Sequence, residues 1–480
     1  MKLCELLSGI EILETNLDLG MEILDVAYDS RRVVAGGLFV AITGFASDGN
    51  RFIPMALEKG AVAVVTGKKP EREFPYVLVH SDRAALAAIS ANWFGHPAEA
   101  MTMIGITGTN GKTSSTLLLK HVLERTRGAK VGLIGTMENR IGDEIVPTER
   151  TTPESFELQS LFARMRSAGC SHMVMEVSSH AIALERVGGV RYDVAAFTNL
   201  TEDHLDFHGT MENYCQAKAE LFRRCGKGVV NVDDPWAPKF LEAAQCPVLT
   251  TSVAKAADLH AEGVSMLSDG VSFTAVQGEK RVDVKLGIPG KFTVSNALTV
   301  LGVSLQLGIS LEEAAGALAT APGVKGRVEV VPTSGKPYTV LIDYAHTPDG
   351  LENVLSSVKD FCQGRLIAVY GCGGDRDRTK RPIMGEIGTR IADIAIITSD
   401  NPRTEEPMAI IRDIVAGIPT TNYEVIENRV KAIHHAMDIG QKNDIIVLAG
   451  KGHETYQEIC GVKNHLDERE VVAEYLAETR

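Results

Sequence analysis

The sequence predicts an α/β protein of three domains with mostly parallel sheets. Three observations support this fold class: a length of 480 residues, an ordinary globular composition with 44% hydrophobic and 23% charged residues, and repeated alternation of apolar strand patterns with helical periodicity. A chain of this length divides into about three domains at roughly 100 to 200 residues each. We predict boundaries that give domains 1–98, 99–325 and 326–480.

Composition and charge exclude several classes of function. The formal net charge of -13 argues against a broad nucleic-acid or anionic-membrane surface, which would be basic. The sequence has neither a basic segment followed by a long apolar core at its start nor an apolar run of about 18 residues. Its eight cysteines include no C-x-x-C pair, which favours reduced thiols. We therefore expect a cytoplasmic monomer that binds no nucleic acid and spans no membrane.

The first segment is predicted to be a small α/β domain. Short apolar runs punctuated by glycine, DVAYDSRRVVAGGLFVAI and GAVAVVTG, are typical of strands. The stretch AALAAISANWFGHP predicts a helix that Gly95 and Pro97 end.

The stretch MIGITGTNGKTSS, residues 103–115, predicts a phosphate-binding loop despite irregular spelling. The usual pattern has a glycine where this sequence has Ile106. The flanks are nevertheless those of a phosphate loop, because MTMIGIT predicts a buried strand and a helix is predicted from Ser114 onward. The apolar residues of that helix lie at helical spacing: Leu117, Leu118, Val122 and Leu123. The alternative, a tight glycine turn with a surface lysine, is less consistent with these flanks, so we predict a P-loop-type central domain.

This loop has the chemistry that a nucleotide needs. Gly108 and Gly111 let backbone amides approach phosphate oxygens, Lys112 can neutralise the β and γ phosphates, and the Thr113 hydroxyl can bind Mg²⁺. The predicted ATP-binding residues of the loop are Gly108, Thr109, Asn110, Gly111, Lys112, Thr113 and Ser114.

The third segment contains four apolar strands that run into glycine or polar residues: YTVLIDYAH, RLIAVYGCGG, ADIAIITSDNPR and DIIVLAGKGHE. Open α/β sheets bind ligands at the carboxyl ends of their strands. The sequence therefore predicts a Rossmann-like C-terminal domain with a ligand site at this edge.

Together these motifs resemble the Mur ligase superfamily, which includes folylpolyglutamate synthase and forms amide bonds by phosphorylating a carboxylate. The matching stretches, in order, are TGTNGKT, TTPES, MEVSSHAIALERV, FTNLTEDHLDFHGTMENYCQAKAELF, DYAHTPDGLENVL, GCGGDRDRTKRPIM, SDNPRTEEP and AGKGHETYQ. Their joint order resembles the branch that adds the third amino acid to UDP-N-acetylmuramoyl-L-alanyl-D-glutamate in peptidoglycan synthesis. The resemblance implies ATP and Mg²⁺ as cofactors.

Lys112, Glu176, His204 and Lys218 are the predicted catalytic residues, and Thr113 joins the last three as a metal ligand. Glu176 ends the apolar strand HMVMEV, which suits a Mg²⁺ ligand beside Thr113, although a strand-end glutamate can simply face water. The resemblance implies that His204 binds a second metal, with His208 as a nearby alternative. A lone histidine is more often structural.

The resemblance also implies that Lys218 reacts with CO₂ to become a carbamate, N6-carboxylysine, near the second Mg²⁺. A lysine can do so only as an accessible neutral amine, which neighbouring cations favour by lowering its pKa. The alternative is a solvated helix lysine.

Further contacts are implied by the resemblance alone. The ATP contacts outside the loop are Asn296, Arg327, Asp343 and His346, of which Arg327 would reach the phosphates when the third domain closes. Helix capping and turn formation are alternative roles for Asn296 and Asp343. The contacts to the UDP-sugar dipeptide are Ser30, Phe45, Ala46, Thr151, Thr152, Ser178 and Arg186. Arg150 and Leu184 depart from the family pattern, which has asparagine before the threonine pair and glutamine at the second position.

The incoming amino acid is predicted from SDNPRTEEP to be meso-diaminopimelate. Arg403 can hold its far carboxylate by two parallel hydrogen bonds, and Asp400 and Asn401 can meet the neighbouring ammonium. The family resemblance adds Arg376, Gly450 and Glu454, so the full predicted set is Arg376, Asp400, Asn401, Pro402, Arg403, Gly450 and Glu454. In isolation DNPR would be read as an Asn-Pro turn with an exposed arginine.

Three other functions stay open. An enzyme of this branch could add L-lysine instead, and a folylpolyglutamate-synthase-like enzyme would share the ATP loop and the carbamate lysine. The latter should lack the DNPR and GKGHE pair and the first domain. A non-catalytic nucleotide-sugar sensor should have lost Lys112, Glu176, His204 or Lys218, and all four are present.

Overall fold

In the computed structural model, the described residues are 1–44, 48–148, 150–267 and 270–479. The predicted substrate contacts Phe45 and Ala46 lie outside them. The chain forms two compact units, one of residues 1–251 with 302–309 and one of residues 252–301 with 310–480. Each of the three predicted domains contains its own sheet, which confirms the predicted α/β class, while the exact domain boundaries stay predictions.

The N-terminal domain is a small sheet with helices on both faces. Its elements are strands β1 Ile12–Thr15, β2 Val26–Ala27, β3 Leu38–Ala41, β4 Ala63–Thr66 and β5 Tyr76–Val79, and helices α1 Leu3–Leu6, α2 Ile53–Glu58 and α3 Asp82–Trp93. The strand order is β1-β5-β4-β3-β2, and only the pairing of β1 with β5 is antiparallel among the described strands of this sheet. Helix α3 begins after Ser81, whose hydroxyl accepts from the Ala84 N–H, and it ends before Gly95 and Pro97 as predicted.

The central domain is a larger sheet in the same unit. Its elements are β6 Thr102–Thr107, β7 Val131–Ile134, β8 Asn139–Ile141, β9 Glu144–Val146, β10 His172–Glu176, β11 Tyr192–Phe197, β12 Cys225–Asn231 and β13 Val248–Ser252, with helices α4 Lys112–Arg127, α5 Ser155–Ser167, α6 Ser179–Ala183, α7 Leu205–His208, α8 Met211–Ala219 and α9 Ala237–Ala243. The order is β13-β12-β11-β6-β10-β7-β8-β9, parallel from β13 to β7. Strand β6 therefore lies inside the sheet, between β11 and β10, and its carboxyl end faces the middle of one edge.

Helix α4 follows the predicted loop and packs its apolar face on the sheet. Of the four apolar residues predicted to lie at helical spacing, Leu118, Val122 and Leu123 are buried and Leu117 is partly buried. The helix begins at Lys112, two residues earlier than predicted, because Gly111 takes a left-handed conformation with φ 83° and turns the chain into the helix at once. It ends at Arg127 and is capped by Gly128, which is also left-handed, with φ 58°.

The second unit opens with an antiparallel ribbon and ends with a parallel sheet. The first part contains β14 Leu259–Leu267, β15 Gly270–Gln277, β16 Lys280–Leu286, α10 Lys291–Gln306 and α11 Leu311–Leu318. The C-terminal domain contains β17 Glu329–Val331, β18 Thr339–Asp343, β19 Leu366–Tyr370, β20 Ile394–Ile397, β21 Tyr423–Val425, β22 Ile445–Ala449, β23 Tyr456–Ile459 and β24 Val462–His465, with α12 Pro348–Lys359, α13 Lys380–Ile391, α14 Pro407–Val415, α15 Arg429–Ile439 and α16 Glu468–Glu478.

The C-terminal sheet brings the four predicted strand endings to one edge. Its order is β17-β18-β22-β19-β20-β21, and β18 to β21 run parallel. Helices cover both faces, with α12, α13 and α14 over one hydrophobic core and α15 and α16 over the other. Strands β18, β19, β20 and β22 therefore all end at the same side, as the Rossmann-like prediction requires. No helix in the described parts of the chain is both long enough and apolar enough to cross a membrane.

Candidate active site

The loop between β6 and α4 is held in a conformation that only glycine can take at its first position. Gly108 has φ 147°, and a Cβ placed there would lie 1.9 Å from the Thr198 hydroxyl and 3.0 Å from the Asn199 carbonyl oxygen. The Thr109 N–H donates to that same Asn199 carbonyl at 2.8 Å. The loop is thus fixed against the end of β11, with the amino terminus of α4 directly behind it.

Lys112 curls back over this loop. Its Nζ donates to the carbonyl oxygens of Gly108 and Thr109, both at 2.8 Å. The ammonium therefore lies beside the backbone amides that begin helix α4, where the partial positive charge of a helix amino terminus also favours anions. The arrangement can bind a phosphate group through one side chain and several N–H groups.

Thr113, the second residue of α4, and Glu176, the last residue of β10, form a buried pair. The Thr113 hydroxyl donates to Glu176 Oε1 at 3.0 Å. The Thr136 N–H donates to Oε1 at 2.9 Å and the Thr136 hydroxyl to Oε2 at 3.0 Å. Glu176 is only 1% exposed, so the alternative of a strand-end glutamate facing water is wrong. A carboxylate beside a hydroxyl, next to a phosphate loop, is an oxygen donor set that fits Mg²⁺.

Lys218 is buried against the same loop. Its Nζ donates to the Gly108 carbonyl at 2.8 Å and lies 4.6 Å from the centre of the Tyr214 ring. Burial lowers the pKa of Lys218 well below its usual value, and the nearby Lys112 ammonium acts in the same direction. The side chain is 2% exposed, so the alternative of a solvated helix lysine is wrong.

His204 and His208 have different surroundings. His208 is buried, its Nε2 lies 2.9 Å from the Ser179 hydroxyl, and burial lowers its pKa to about 4. His204 is half-exposed and left-handed, with φ 55°, and its Nε2 lies 3.4 Å from Asp203. Its ring meets the His180 ring edge-on with 4.7 Å between centroids. His204 is therefore the more accessible of the two predicted alternatives.

Among the described residues, no group of three or more His, Cys, Asp or Glu side chains is arranged to hold a metal ion.

Thr136, His180 and Tyr214 belong to this site but were not predicted. Tyr214 lies one helical turn before Lys218 on α8, so the i, i+4 spacing could have indicated it. His180 directly follows the predicted Ser178 region in the motif MEVSSHAIALERV. Thr136 follows β7, where no local pattern marks it.

The residues predicted to bind the dipeptide cluster at the end of β10. The Thr152 hydroxyl donates to the Glu176 carbonyl at 2.9 Å and accepts from the Ser178 N–H at 3.3 Å. Arg186 Nη1 donates to the Thr152 carbonyl at 3.2 Å. The Thr151 hydroxyl is 3.0 Å from that of Thr136. The four predicted residues therefore lie together around the end of β10, where Thr152 bonds the main-chain carbonyl of Glu176.

Glu154 organises this cluster and was also missed, although it lies in the quoted motif TTPES. Its side chain is 8% exposed and forms ion pairs with Arg186 Nε at 2.5 Å and with Arg150 Nη1 at 3.3 Å. The position that departs from the family pattern, Arg150, thus adds a second cation that shares Glu154 with the predicted dipeptide contact Arg186.

A cavity of roughly 450 Å³ lies next to Glu154 and is lined by both domains of the first unit. Its lining includes Tyr28 and Arg32 from the N-terminal domain, and Arg150 and Glu154 from the central domain. The predicted contact Ser30 lies between the first two in sequence and is buried, with its hydroxyl 3.4 Å from the Met55 sulfur. The cavity is therefore bordered by the segment around Ser30 and by Glu154, which pairs with the predicted dipeptide contact Arg186.

In the second unit, Asn401 and Glu454 are tied together at the edge of the C-terminal sheet. Asn401 Nδ2 donates to Glu454 Oε2 at 2.8 Å, and the buried Lys451 Nζ donates to Asn401 Oδ1 at 3.0 Å. A side chain at Gly450 would collide with the Asp400 carboxylate, so these two predicted residues also touch.

Arg403 is held rather than exposed. Its Nη1 donates to the Gly374 carbonyl at 2.7 Å and its Nε lies 3.3 Å from Glu458 Oε2, while its backbone is left-handed at φ 52°. Asn401 and Pro402 before it are buried. The alternative of an Asn-Pro turn with an exposed arginine is therefore wrong. Arg376 is exposed on the loop after β19.

Asp343 and Arg327 lie at the start of the C-terminal domain. Asp343 accepts from the N–H groups of Val328 and Ala345, both at 2.8 Å, and burial raises the pKa of its carboxyl. Its carboxylate is thus used to hold the segment that carries Arg327, whose guanidinium lies 5.2 Å from the Tyr344 ring centre.

His346 and Asn296, the two remaining predicted ATP contacts, lie in a loop and in a helix respectively. His346 Nδ1 is 2.8 Å from the Tyr344 carbonyl, at the end of β18. Asn296 is buried inside helix α10, so helix capping does not explain it.

Comparison with known proteins gives one consistent result. Three family models match the chain: Mur ligase family, catalytic domain, at residues 22–94; Mur ligase middle domain, at 106–304; and Mur ligase, glutamate ligase domain, at 326–452. A Clostridium botulinum protein named UDP-N-acetylmuramoyl-L-alanyl-D-glutamate--2,6-diaminopimelate ligase is 49% identical over 463 residues, which cover 95% of this chain and 96% of that protein.

A Clostridium tetani protein of the same name is 47% identical over the full length of both chains. A solved structure titled as this ligase is 31% identical, covers 100% of this chain and 99% of its own, and superposes with a TM-score of 0.74.

Proposed function

Because the chain belongs to the Mur ligase family, we propose that it is an ATP-dependent ligase that joins meso-2,6-diaminopimelate to UDP-N-acetylmuramoyl-L-alanyl-D-glutamate. The observation that carries the proposal is the shared carbonyl of Gly108, which accepts from both Lys112 and Lys218 at 2.8 Å. A phosphate-binding lysine and a buried, readily deprotonated lysine thus meet at one glycine of a nucleotide loop. A simple nucleotide sensor has no need of the second lysine.

The reaction must turn a poor acyl donor into a good one. A carboxylate oxygen of the D-glutamyl residue attacks the γ-phosphorus of ATP, the bond to ADP breaks, and an acyl phosphate forms. The neutral amine of the amino acid then attacks the acyl carbon, and phosphate leaves as the amide forms. The protein contributes mainly position and countercharge in such transfers. Lys112 and the first amides of α4 supply that countercharge around the loop.

Thr113 and Glu176 would hold the Mg²⁺ ion of this reaction. When bound, Mg²⁺ neutralises charge that develops on the phosphate oxygens. The carboxylate of Glu176 is kept in one orientation by two hydrogen bonds from Thr136, so it does not need to reorganise when the ion binds. The proposal thus assigns Thr136 the task of orienting the ligand.

We assign Lys218 the role of a carbamate. The modification forms a bond between Nζ and the carbon of CO₂ and releases one proton, so it requires the neutral amine. Burial and the Lys112 ammonium favour that neutral amine by lowering the pKa of Lys218. The resulting anion would act as an oxygen ligand or positioning group near His204, in the second metal position.

Arg186 would bind a carboxylate of the dipeptide, and the cavity beside Glu154 would take the nucleotide-sugar part. The residues around Asn401, Arg403 and Glu454 would bind the incoming amino acid. In particular, Arg403 would meet the far carboxylate that distinguishes diaminopimelate from lysine. Since ATP and a nucleotide-activated sugar are the substrates, the reaction belongs in the cytoplasm.

The direct test is a reconstituted ligation. The purified protein is incubated with ATP, Mg²⁺ and UDP-N-acetylmuramoyl-L-alanyl-D-glutamate, plus meso-diaminopimelate or L-lysine, and ADP and the tripeptide product are measured by mass spectrometry. We expect product with diaminopimelate. Lys112→Ala should lose turnover, whereas the matched control Lys255→Ala, at an exposed lysine, should keep the turnover of the unmodified protein.

ADP release without an amino-acid-dependent product would contradict the ligase proposal. Product formed equally well with L-lysine would contradict only the amino-acid assignment. Binding of the UDP-sugar without any turnover would favour a sensor, and turnover only with a folate substrate and glutamate would favour a folylpolyglutamate-synthase-like enzyme.

A further inference from the structure

The thiols of Cys225 and Cys246 lie in contact inside the central domain. Their sulfur atoms are 3.4 Å apart. Cys225 is the first residue of β12, and Cys246 lies in the link between α9 and β13. Because β12 and β13 are neighbouring parallel strands, the amino ends of these strands bring together two cysteines that are 21 positions apart in the sequence. Among the described residues, no other two thiols lie within hydrogen-bonding distance of each other.

The two thiols differ in their access to solvent. Cys225 is 7% exposed, and its sulfur lies 3.5 Å from the Phe222 carbonyl oxygen. Cys246 is partly exposed. Burial, together with the contact with the Cys246 thiol, raises the pKa of Cys225, so this side chain stays a protonated thiol. A small oxidant from solvent therefore reaches Cys246 first, and Cys225 lies directly behind it.

A bond between the two sulfur atoms needs only a short movement. Sulfur atoms in a disulfide are about 2.05 Å apart, so the present separation of 3.4 Å must shorten by about 1.4 Å. Cys246 can supply this movement by side-chain rotation, because it belongs to neither α9 nor β13 and is partly exposed. Strand β12 pairs with β11 from Cys225 onward and does not have to move.

We propose that Cys225 and Cys246 are a modification site, a thiol pair that hydrogen peroxide or another hydroperoxide closes to a reversible disulfide. In the first step the Cys246 sulfur attacks a peroxide oxygen. An S–O bond forms, the O–O bond breaks, and the second oxygen leaves as water with the proton of the thiol. In the second step the Cys225 sulfur attacks the Cys246 sulfur, the S–S bond forms, the S–O bond breaks, and the hydroxyl leaves as water with the Cys225 proton. Two thiols are thus oxidised while one peroxide is reduced to water.

The disulfide closes residues 225–246, with β12 and α9, into a covalent loop. Phe240 of α9 stacks on Phe197 of β11, with 3.7 Å between ring centroids, so this loop is packed on the central sheet. A cross-link of this kind stabilises a protein mainly by restricting its unfolded chain. It also consumes the sulfenic acid before a second peroxide can convert it to sulfinic acid, which is irreversible. The pair therefore stabilises the central domain and protects Cys246 during oxidation, and neither effect depends on the proposed function or on any ligand.

The test oxidises the full chain and locates the bond. The unmodified protein, Cys225→Ala, Cys246→Ser and the control Cys362→Ser are treated with hydrogen peroxide, free thiols are blocked with iodoacetamide, and a non-reducing digest is analysed by mass spectrometry. Cys362 is matched to Cys246, because it is also partly exposed but its thiol donates to the Gly364 carbonyl at 3.4 Å. Dimedone traps sulfenic acid in parallel samples, and calorimetric melting is measured before and after oxidation.

We expect a peptide pair joined through Cys225 and Cys246, lighter by two hydrogen atoms, in the unmodified protein and in Cys362→Ser. Dithiothreitol should separate the pair again. Cys225→Ala should accumulate the dimedone adduct of Cys246 on the order of 10-fold more than the unmodified protein, because the second thiol that consumes the sulfenic acid is missing. Oxidation should raise the melting midpoint of the unmodified protein by about 5 °C or more and leave that of both pair variants unchanged.

The inference would be overturned if both thiols stayed free while the exposed Cys4 and Cys460 were oxidised, or if either member of the pair bonded a different cysteine. A midpoint that stays constant or falls in the cross-linked protein would overturn the stabilising role. If Cys225→Ala fails to fold, Cys246→Ser decides the order of the two steps. Oxidation of Cys225 in that variant as fast as in the unmodified protein would contradict first attack at Cys246.

Discussion

Replacing Glu176 by glutamine should separate the charge of this side chain from its hydrogen bonds. The amide keeps Oε1 as acceptor for the Thr113 hydroxyl and the Thr136 N–H. Its new NH₂ faces the Thr136 hydroxyl, which can accept because it can donate in turn to Thr151, 3.0 Å away. We therefore expect the stability of Glu176→Gln to stay within about 1 kcal/mol of the unmodified protein, as for a hydrogen bond exchanged in place.

Glu176→Ala should behave differently, because it removes the acceptor altogether. The Thr113 hydroxyl and the Thr136 N–H would lose their partner in a buried site, at about 1–3 kcal/mol each, or about 2–6 kcal/mol together. For a domain of this size, about 1 kcal/mol shifts the melting midpoint by roughly 2–4 °C, so a loss of about 4 °C or more is expected. Both variants should lose Mg²⁺-dependent turnover by about 100-fold or more, because both lack the anion.

The assay is a pair of measurements on the same samples: thermal unfolding by circular dichroism, and ADP release over a Mg²⁺ titration. Glu144→Gln is the control, since Glu144 is a surface partner of Arg164, with 61% of its side chain exposed. The reasoning would be refuted if Glu176→Gln unfolded at a temperature as low as that of Glu176→Ala. It would also be refuted if the turnover of Glu176→Gln depended on Mg²⁺ as that of the unmodified protein does.

Three further outcomes are expected. Labelled bicarbonate should give a carbamate carbon signal in nuclear magnetic resonance that is missing in Lys218→Ala along with activity; full activity of an unmodified lysine would contradict this. Arg403→Ala should raise the KM for meso-diaminopimelate far more than the KM for ATP, whereas Arg412→Ala, at an exposed arginine, should change neither KM. Equal kcat/KM for diaminopimelate and L-lysine in the unmodified enzyme would contradict the assignment of Arg403 to the amino-acid pocket. Burial holds the pKa of His208 near 4, below its ordinary 6.5, so the unfolded chain binds more protons between these values. The stability contributed by neutral His208 is therefore present above about pH 6.5 and lost as pH falls towards 4. The melting midpoint should drop more steeply over this range than in His208→Gln, and parallel curves would exclude His208 as the cause.

The phosphate loop and the sheet edges could be predicted because their signals are local. A buried strand, a glycine turn and a helical pattern follow one another from Met103 to Leu123, and the strand endings of the C-terminal domain are marked by their own sequences. The first helical residue was misplaced by two positions because the conformation of Gly111, and not the apolar pattern, sets it.

The residues that sequence reasoning missed are those whose roles depend on distant partners. Thr136 meets Glu176 across 40 residues, and Arg83 meets Glu154 across 71. No spacing rule joins such pairs, because β7, β10 and α3 are brought together only by the sheet order and by packing. The burial of Lys218 could not be predicted from the sequence either, because nothing in QAKAELF distinguishes it from an exposed lysine on a helix.

The crowding at Gly108 determines which parts of the loop can vary during evolution. A methyl group there would strike Thr198, whose hydroxyl already donates to the Asn110 carbonyl at 2.7 Å, and the backbone of Asn199, which cannot rotate away. At Gly128, which caps the end of helix α4, only the left-handed backbone conformation favours glycine, because nothing lies within 4 Å of a Cβ placed there. In a saturation library selected for growth, position 108 should therefore admit glycine alone, while position 128 should also admit asparagine, which tolerates that conformation. The loop before helix α4 thus contains a position closed to substitution, whereas the position that caps the end of the helix accepts more than one residue.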